Sequence, residues 1–257
     1  MDLFNTGVRP LVDTYLKEQS EKVRDYGNFW SASSAGYCMR KVIFDRLKLP
    51  PIADDPRKTR VFESGHIFHA WLQEITKKSG ASIAQEVELK DDNLMIIGHF
   101  DDLIKTKDGL ILYDYKTQHS RAFMWAKKNP KPMSHYHKMQ LGTYMYMLRQ
   151  RNTLKHELYN GVENLSEARI MKISKDDLMM SEQQLLWTPA LEKAVVEYWR
   201  TLNGYWNNKK LPSCTCANHE NGFMAGPKYN PYYYNGEPCS LEYLKKFPEL
   251  IKAWRAM

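Results

Sequence analysis

Three residues near the middle of the chain, Asp101, Asp114 and Lys116, have the types and spacing for chemistry on a phosphate diester. Two carboxylates a few ångströms apart repel each other, so such a cluster is costly unless a cation lies between them. Oxygen ligands suit a hard divalent ion, and Mg²⁺ usually keeps several waters while taking one or two protein carboxylates and substrate phosphate oxygens. A lysine beside it can polarise the attacking water or neutralise charge building on phosphorus. The chemistry this set suits is metal-assisted phosphodiester hydrolysis. An ordinary cross-strand ion pair on a solvated face would use the same residues, and Asp-x-Lys alone is too short to separate the two.

To converge, these side chains need two neighbouring strands. Ile96 to Lys105 and Leu110 to Thr117 are rich in Ile, Leu and Tyr, and the Asp108-Gly109 pair between them is a strong hairpin signal. With Asp108 and Gly109 as the two turn residues, Lys107 faces Leu110, Leu103 faces Asp114 and Asp101 faces Lys116. Asp101, Asp114 and Lys116 then share one side of the sheet, and Asp102, Tyr113 and Tyr115 the other. Upstream, Ile83 to Lys90 alternates as a half-buried strand, with Glu86 and Glu88 on its polar side. Thr59 to Lys78 forms a helix on which Phe62, Gly65, His69 and Leu72 share an uncharged face, so His69 points inward and His66 does not. An inward histidine is either a satisfied core residue or a ligand, and the adjoining carboxylate strands favour the ligand.

The remaining chain supplies cover and contacts. Val8 to Tyr26 reads as an amphipathic helix; Trp30 to Ser34 offers capping residues for a second helix from Gly36 to Leu47, ended by Pro50 and Pro51. After Thr117, Arg121, Lys127, Lys128 and Lys131 are interleaved with Trp125, which suits a surface that holds phosphates and stacks bases; a solvated basic loop would look the same. Ser134 to Arg151 forms a helix with Gln140, Tyr144 and Leu148 on one side. Ala168 to Ser174 reads as a strand. Leu185 to Lys209 reads as a long helix with Trp187, Leu191, Val195, Tyr198, Leu202 and Tyr205 inward. From Leu211, Pro, Gly, Asn and Tyr dominate around Cys214, Cys216 and Cys239, with Tyr229, Tyr232, Tyr233 and Tyr234 between them. So irregular a segment suits an organising metal. A short helix from Ser240 to Trp254 closes the chain.

With 257 residues, 43% hydrophobic and 26% charged, the chain reads as one globular domain and not a disordered one. Its core covers about 57–207, with segments 1–56 and 208–257 packed upon it. A net charge of +7 and a pI near 9.0 suit a polyanionic partner. Neither a secretory signal nor a membrane span is visible, which places the protein inside the cell, in the cytoplasm. There, four cysteines are not expected to be disulfides.

Four pieces in order, Gly65-His66-Ile67-Phe68-His69, Gly98 to Asp101, Asp114 to Thr117 and Gln140-Leu141-Gly142-Thr143-Tyr144, resemble the PD-(D/E)XK nuclease superfamily. Within it they are similar to the RecB-like exonuclease branch and its iron–sulfur CRISPR-adaptation and phage members. The resemblance implies an α/β, restriction-endonuclease-like core: a mixed central β-sheet flanked by helices, with the N- and C-terminal extensions joined by a cysteine-ligated cluster. It implies a Mg²⁺- or Mn²⁺-dependent deoxyribonuclease, an exonuclease acting on DNA ends or single strands in end processing, recombination or repair, with a recombination or CRISPR-adaptation protein as partner. His69, Asp101, Asp114 and the Tyr115 carbonyl would hold the metal, Lys116 would be the catalytic lysine, and Gln140 and Tyr144 would support the site or touch DNA. One cysteine before the core and three after it implies a four-iron four-sulfur cluster on Cys38, Cys214, Cys216 and Cys239, although Cys239 is more distant than in the family pattern. Four thiolates also suit zinc, and His219 could replace one of them. A non-catalytic DNA- or partner-binding module and a structure-specific endonuclease on the same fold remain the alternatives. A binding module has no need of the complete Asp101, Asp114 and Lys116 set.

Overall fold

The computed structural model describes residues 7–21, 26–52, 56–150, 161–216 and 230–257. The chain opens with α1 (Val8–Glu21), a two-residue strand β1 (Trp30–Ser31), a 3-10 turn (Ala32–Ser34), α2 (Met39–Arg46) and α3 (Pro56–Lys78). Five strands follow: β2 (Ser82–Gln85), β3 (Glu88–Asp91), β4 (Ile96–His99), β5 (Asp102–Thr106) and β6 (Gly109–Gln118). Then come α4 (Ser120–Lys128), α5 (His135–Arg149), β7 (Glu167–Ser174), β8 (Met180–Leu186), α6 (Pro189–Asn207), α7 (Leu241–Leu244) and α8 (Pro248–Ala256). The expected α/β core of mixed sheets between helices is present, but as two sheets, β1-β4-β3 and β2-β5-β6-β7-β8.

Two expected strands are each broken, at adjacent points. Ile96 to Lys105 changes sheet between His99 and Asp102, and Ile83 to Lys90 changes sheet around Glu86. The breaks are tied together by Glu86 N–H, which donates to the Phe100 carbonyl at 3.0 Å, and Glu86 has a left-handed φ of 51°. Pleat phase changes across the break: Ala84 is buried in β2 and Leu89 in β3, so one alternation does not run through both strands. A paired kink of this kind re-aims side chains, and Asp101 sits within it.

The β5–β6 register also differs from expectation. The turn residues are Lys107 and Asp108, and Thr106 pairs with Gly109, Lys105 with Leu110 and Asp102 with Tyr113. Thr106 Oγ1 fastens the turn, donating to the Gly109 carbonyl at 3.0 Å and accepting from Asp108 N–H at 3.2 Å, while Gly109 holds a φ of 133°. The displacement is two residues, one full pleat period, so every side chain keeps its face.

Helices cover both faces of the five-stranded sheet. Helix α3 lies against β2 and β6, where Leu72 packs with Tyr115 and Ile173. On the other side, α5 packs on β6, β7 and α6, and most of its residues from Met139 to Leu148 are buried. A Cβ at Gly142 would lie 2.9 Å from Leu191 Cδ1 and 3.0 Å from Val195 Cγ2, so glycine permits the close α5–α6 approach. The long C-terminal helix begins at Thr188, whose side chain accepts from Leu191 N–H, because Leu185 and Leu186 belong to strand β8. The final helix divides at Phe247-Pro248, since proline lacks the N–H needed to continue α7 into α8. Of α1's apolar residues, Leu16 is buried, whereas Leu11, Val12 and Tyr15 are exposed. Residues 22–25, Arg151, His219 and Tyr229 lie outside the described residues.

Candidate active site

The kink and the hairpin bring the two carboxylates together. Continuing the β5–β6 register one step puts Asp101 level with Asp114, and Asp101 Oδ2 accepts from Tyr115 N–H at 2.6 Å. Burial, and then the charge of Asp114, push Asp101 up to about 8. Asp114 is 4% exposed; its Oδ1 accepts from Gln140 Nε2 at 3.1 Å, and its Oδ2 forms an ion pair with Lys116 Nζ at 2.7 Å. Beyond that ion pair, Oδ2 has no hydrogen-bond donor among the described residues. Burial lowers the affinity of Lys116 for its proton, but Asp114 and Asp101 outweigh it and leave the lysine raised and charged.

His69 reaches the same place from α3, with Nδ1 3.5 Å from Asp101 Oδ2. Burial, followed by the charge of Lys116, lowers it and favours the neutral imidazole that a metal needs. The helix face that carries His69 is less buried than expected, because Phe62 at its N-terminal end is 68% exposed. His69, Asp101 and Asp114 lie near one another without closing tightly around a point. Among the described residues, the four cysteines are the one group of three or more His, Cys, Asp or Glu side chains whose ligand atoms all lie within 4.8 Å of one another. The chemistry of the set still fits a hard divalent ion: two carboxylates and a neutral imidazole, with an acceptor oxygen to spare on buried Asp114.

Glu86 and Gln73 also reach this site, although their sequence context gives only a solvent-facing glutamate and a helical glutamine. Gln73 Nε2 donates to Glu86 Oε1 at 3.0 Å and to the Asp101 carbonyl at 2.9 Å, so it clamps the kink behind Asp101. Asp102, as expected, faces away. It is fully buried and accepts from Thr76 Oγ1 at 2.5 Å, Ser82 Oγ at 2.6 Å, Gln85 Nε2 at 3.0 Å and Tyr115 O–H at 2.8 Å.

Gln140 and Tyr144, four residues apart on α5, approach from the opposite face. Tyr144 is 4% exposed, and burial raises its phenol far above the ordinary range, so it is a neutral, packed ring. Its ring lies against Gly98: a Cβ there would stand 2.7 Å from Ala32 Cβ and 3.1 Å from Tyr144 Cε1. Glycine is therefore required three residues before Asp101 for α5 and the N-terminal segment to close over β4.

Beside Lys116 opens a cleft of about 680 Å³ lined by Lys116, Gln140, Tyr136 and His137 on one side and by Ser31, Ser33, Tyr37 and Lys41 on the other. This wall was not legible as a site in the sequence, because residues 30–48 meet the start of α5 only through the fold. Arg121, Lys127, Lys128 and Lys131 lie elsewhere, exposed on α4 and the turn after it, with Lys131 Nζ 5.4 Å from the centre of the Trp125 ring. That segment is helical where no regular element was expected; His119 caps it, accepting from Arg121 N–H.

The cysteines converge as expected. Cys38 stands at the N-cap of α2, and Cys214, Cys216 and Cys239 come from the C-terminal segment, all as free thiols. Sulfur separations are 3.9 Å for Cys38–Cys214 and 3.5 Å for Cys216–Cys239. Hydrogen bonding from Cys214 lowers Cys38, and bonding from Cys216 brings Cys214 down to about 7; the same sharing raises Cys216 and Cys239. Asn230, 2% exposed, points its amide nitrogen at Cys216 (3.5 Å) and Cys239 (3.4 Å), while its oxygen accepts from Tyr232 N–H. A four-thiol cage with three of its cysteines buried, Cys214 half-buried and an amide donor behind it fits a thiolate-bound metal centre.

Fold and site together define an α/β nuclease core. The family model described as the PD-(D/E)XK nuclease superfamily matches residues 77–217, more than half of the 257, and the chain belongs to that superfamily. Among solved structures, that of SSO0001 has a TM-score of 0.48 at 17% identity, covering 78% of this chain and 85% of that one. LHK-Exo in complex with dAMP has a TM-score of 0.42 at 14% identity, covering 74% and 97%. The alkaline exonuclease LHK-Exo from Laribacter hongkongensis has a TM-score of 0.39 at 12% identity, covering 71% and 93%. No curated protein matches the chain. No helix among the described residues is long and apolar enough to cross a membrane.

Proposed function

We propose that this nuclease is a Mg²⁺- or Mn²⁺-dependent deoxyribonuclease of the RecB-like branch that digests DNA from its ends. The observation that carries the reading is Asp101, in the kink just before β5, held level with Asp114 of β6 by the Tyr115 N–H at 2.6 Å, with Lys116 Nζ 2.7 Å from Asp114. His69, Asp101, Asp114 and the Tyr115 carbonyl would hold the ion. When bound, it would supply Lewis acidity and a more acidic water. Lys116 presents its ammonium beside the reacting phosphate, offsetting charge that grows on phosphorus. Gln140 fixes the Asp114 carboxylate, and Tyr144 packs α5 against β4 so that Gln140 stays in reach. Arg121, Lys127, Lys128 and Lys131 contact flanking phosphates. The four cysteines hold a metal centre that joins the two ends of a single domain. As they stand, their sulfurs fit one tetrahedral ion, for which Zn–S bonds of about 2.3 Å place sulfurs about 3.8 Å apart. A four-iron four-sulfur cluster requires them to spread, because irons and sulfides then stand between the thiolates.

End-labelled linear DNA and covalently closed DNA, each incubated with and without Mg²⁺ or Mn²⁺, test the reading. Metal-dependent loss of linear DNA alone is expected. Cleavage without added metal after chelation, or equal cutting of closed circles, would overturn the metal-dependent exonuclease.

A further inference from the structure

The cleft beside Lys116 has features that hydrolysis itself does not require, and their reading rests on the nuclease function proposed above. We propose that it is a subsite for one unstacked nucleotide of the strand being cut, with the base against Tyr136 and His137 and the phosphate towards Lys116 and the Ser31 and Ser33 hydroxyls. The cleft volume of about 680 Å³ lies within the usual span of small-ligand pockets, roughly 300–1,000 Å³. It can take a nucleotide, but not a base pair with both its backbones.

The lining matches that occupant in chemistry. Tyr37 and Tyr136 are stacked, with centroids 5.5 Å apart and planes at 25°, and the His137 ring lies 4.1 Å from that of Tyr136 but tilted by 56°, so the rings form a corner rather than one stack. Such a corner offers π surface that any base can stack against. Ser31 Oγ and Ser33 Oγ are hydrogen-bonded to each other at 2.8 Å, which engages one hydroxyl hydrogen and leaves the other to turn to a phosphate oxygen, whereas Ser34 is committed to the Ser31 carbonyl. Lys41 is paired with Asp45 and Lys116 with Asp114, and Arg46 and Lys48 are cations in excess of these pairs, so the cleft is net cationic. Burial, then the charge of Lys116, holds His137 down at about 4, and the ring is a neutral stacking surface rather than another cation. His137 precedes Gln140 by three residues on α5, about 4.5 Å along the axis, which places the subsite next to the reacting phosphate.

Binding of a fluorescein-labelled oligothymidylate, followed by anisotropy in Ca²⁺ to suppress cutting, tests this apart from hydrolysis. Tyr136→Ala should weaken binding about tenfold, as expected for loss of one base–aromatic stack, and Tyr136→Phe should restore it. His137→Ala should also weaken binding, and blunt duplex of equal length should bind the wild type less tightly than the single strand. Wild-type affinity in both alanine variants, a folded Tyr136→Phe as weak as Tyr136→Ala, or preference for the duplex would each overturn the subsite. Failure of the nuclease reading would show separately, as no hydrolysis of any DNA by wild-type protein in Mg²⁺ or Mn²⁺.

Discussion

Asp102 and Asp114 sit one residue out of register on adjacent strands, and their surroundings assign them opposite duties. Asp102 is enclosed by four donors. Asp102→Asn would turn an amide towards some of those donors, and breaking a buried charged network costs roughly 3–5 kcal/mol. Denaturant unfolding should show that loss, with residual nuclease activity per folded molecule. Asp114→Asn should abolish cleavage with a smaller loss of stability, because relief of its repulsion with Asp101 offsets part of the lost ion pair with Lys116. Inactive but fully stable Asp102→Asn would show that the faces have been exchanged. His137 gives a pH signature at the same scale. Its folded value of about 4 lies below the ordinary 6.5, so folding favours the neutral ring. Stability from that preference is complete above pH 6.5 and drains as pH falls from there towards 4. His137→Gln should therefore lose less stability than wild type across that window in parallel denaturation curves. Identical curves would show that the imidazole titrates as it does in water.

At the scale of elements, the faces of the hairpin were legible even though its register was not. The displacement of two residues preserves pleat parity, so Asp101, Asp114 and Lys116 meet with the wrong partners opposite them. The kink was not legible, because no periodicity announces a residue such as Glu86 taking a left-handed conformation. Strand β8 escaped because Met180-Ser181-Glu182-Gln183-Gln184-Leu185-Leu186 is a mostly exposed edge without β-branched residues. Helix α4 escaped because its composition reads equally as a basic loop, with Phe123 its one buried anchor. Its fold as a helix still leaves Arg121, Lys127 and Lys128 exposed, and Lys131 after it is exposed as well. Replacing the four with alanine should lower the slope of log affinity against log salt by up to about one unit per lost phosphate contact. An unchanged slope would return α4 to the role of a solvated surface helix.

For the whole molecule, the cysteine cage is the point where the ends of the chain meet. Cys38 starts α2, and the C-terminal segment that brings Cys214, Cys216 and Cys239 also braces α2 further along, through Tyr232 O–H to Asp45 at 2.8 Å. Asp45 in turn pairs with Lys41, which lines the cleft beside Lys116. Residues 30–48 thus hold their place against α5 partly because the C-terminal segment is fastened to them, and its described parts, 211–216 and 230–240, have little regular structure before α7. The cage should consequently govern stability and cleft shape without taking part in hydrolysis. Cys214→Ala should lose the bound metal, lower the melting temperature, and reduce binding of single-stranded DNA more than it reduces the affinity for Mn²⁺ at the Asp101–Asp114 site. Metal analysis of protein purified without oxygen distinguishes the occupants: iron with sulfide marks the cluster, and one zinc per chain marks the single ion that the sulfur separations fit as they stand. Four free thiols and no metal, with stability unchanged in Cys214→Ala, would leave the ends held by packing of Phe44, Tyr232 and Trp254 alone.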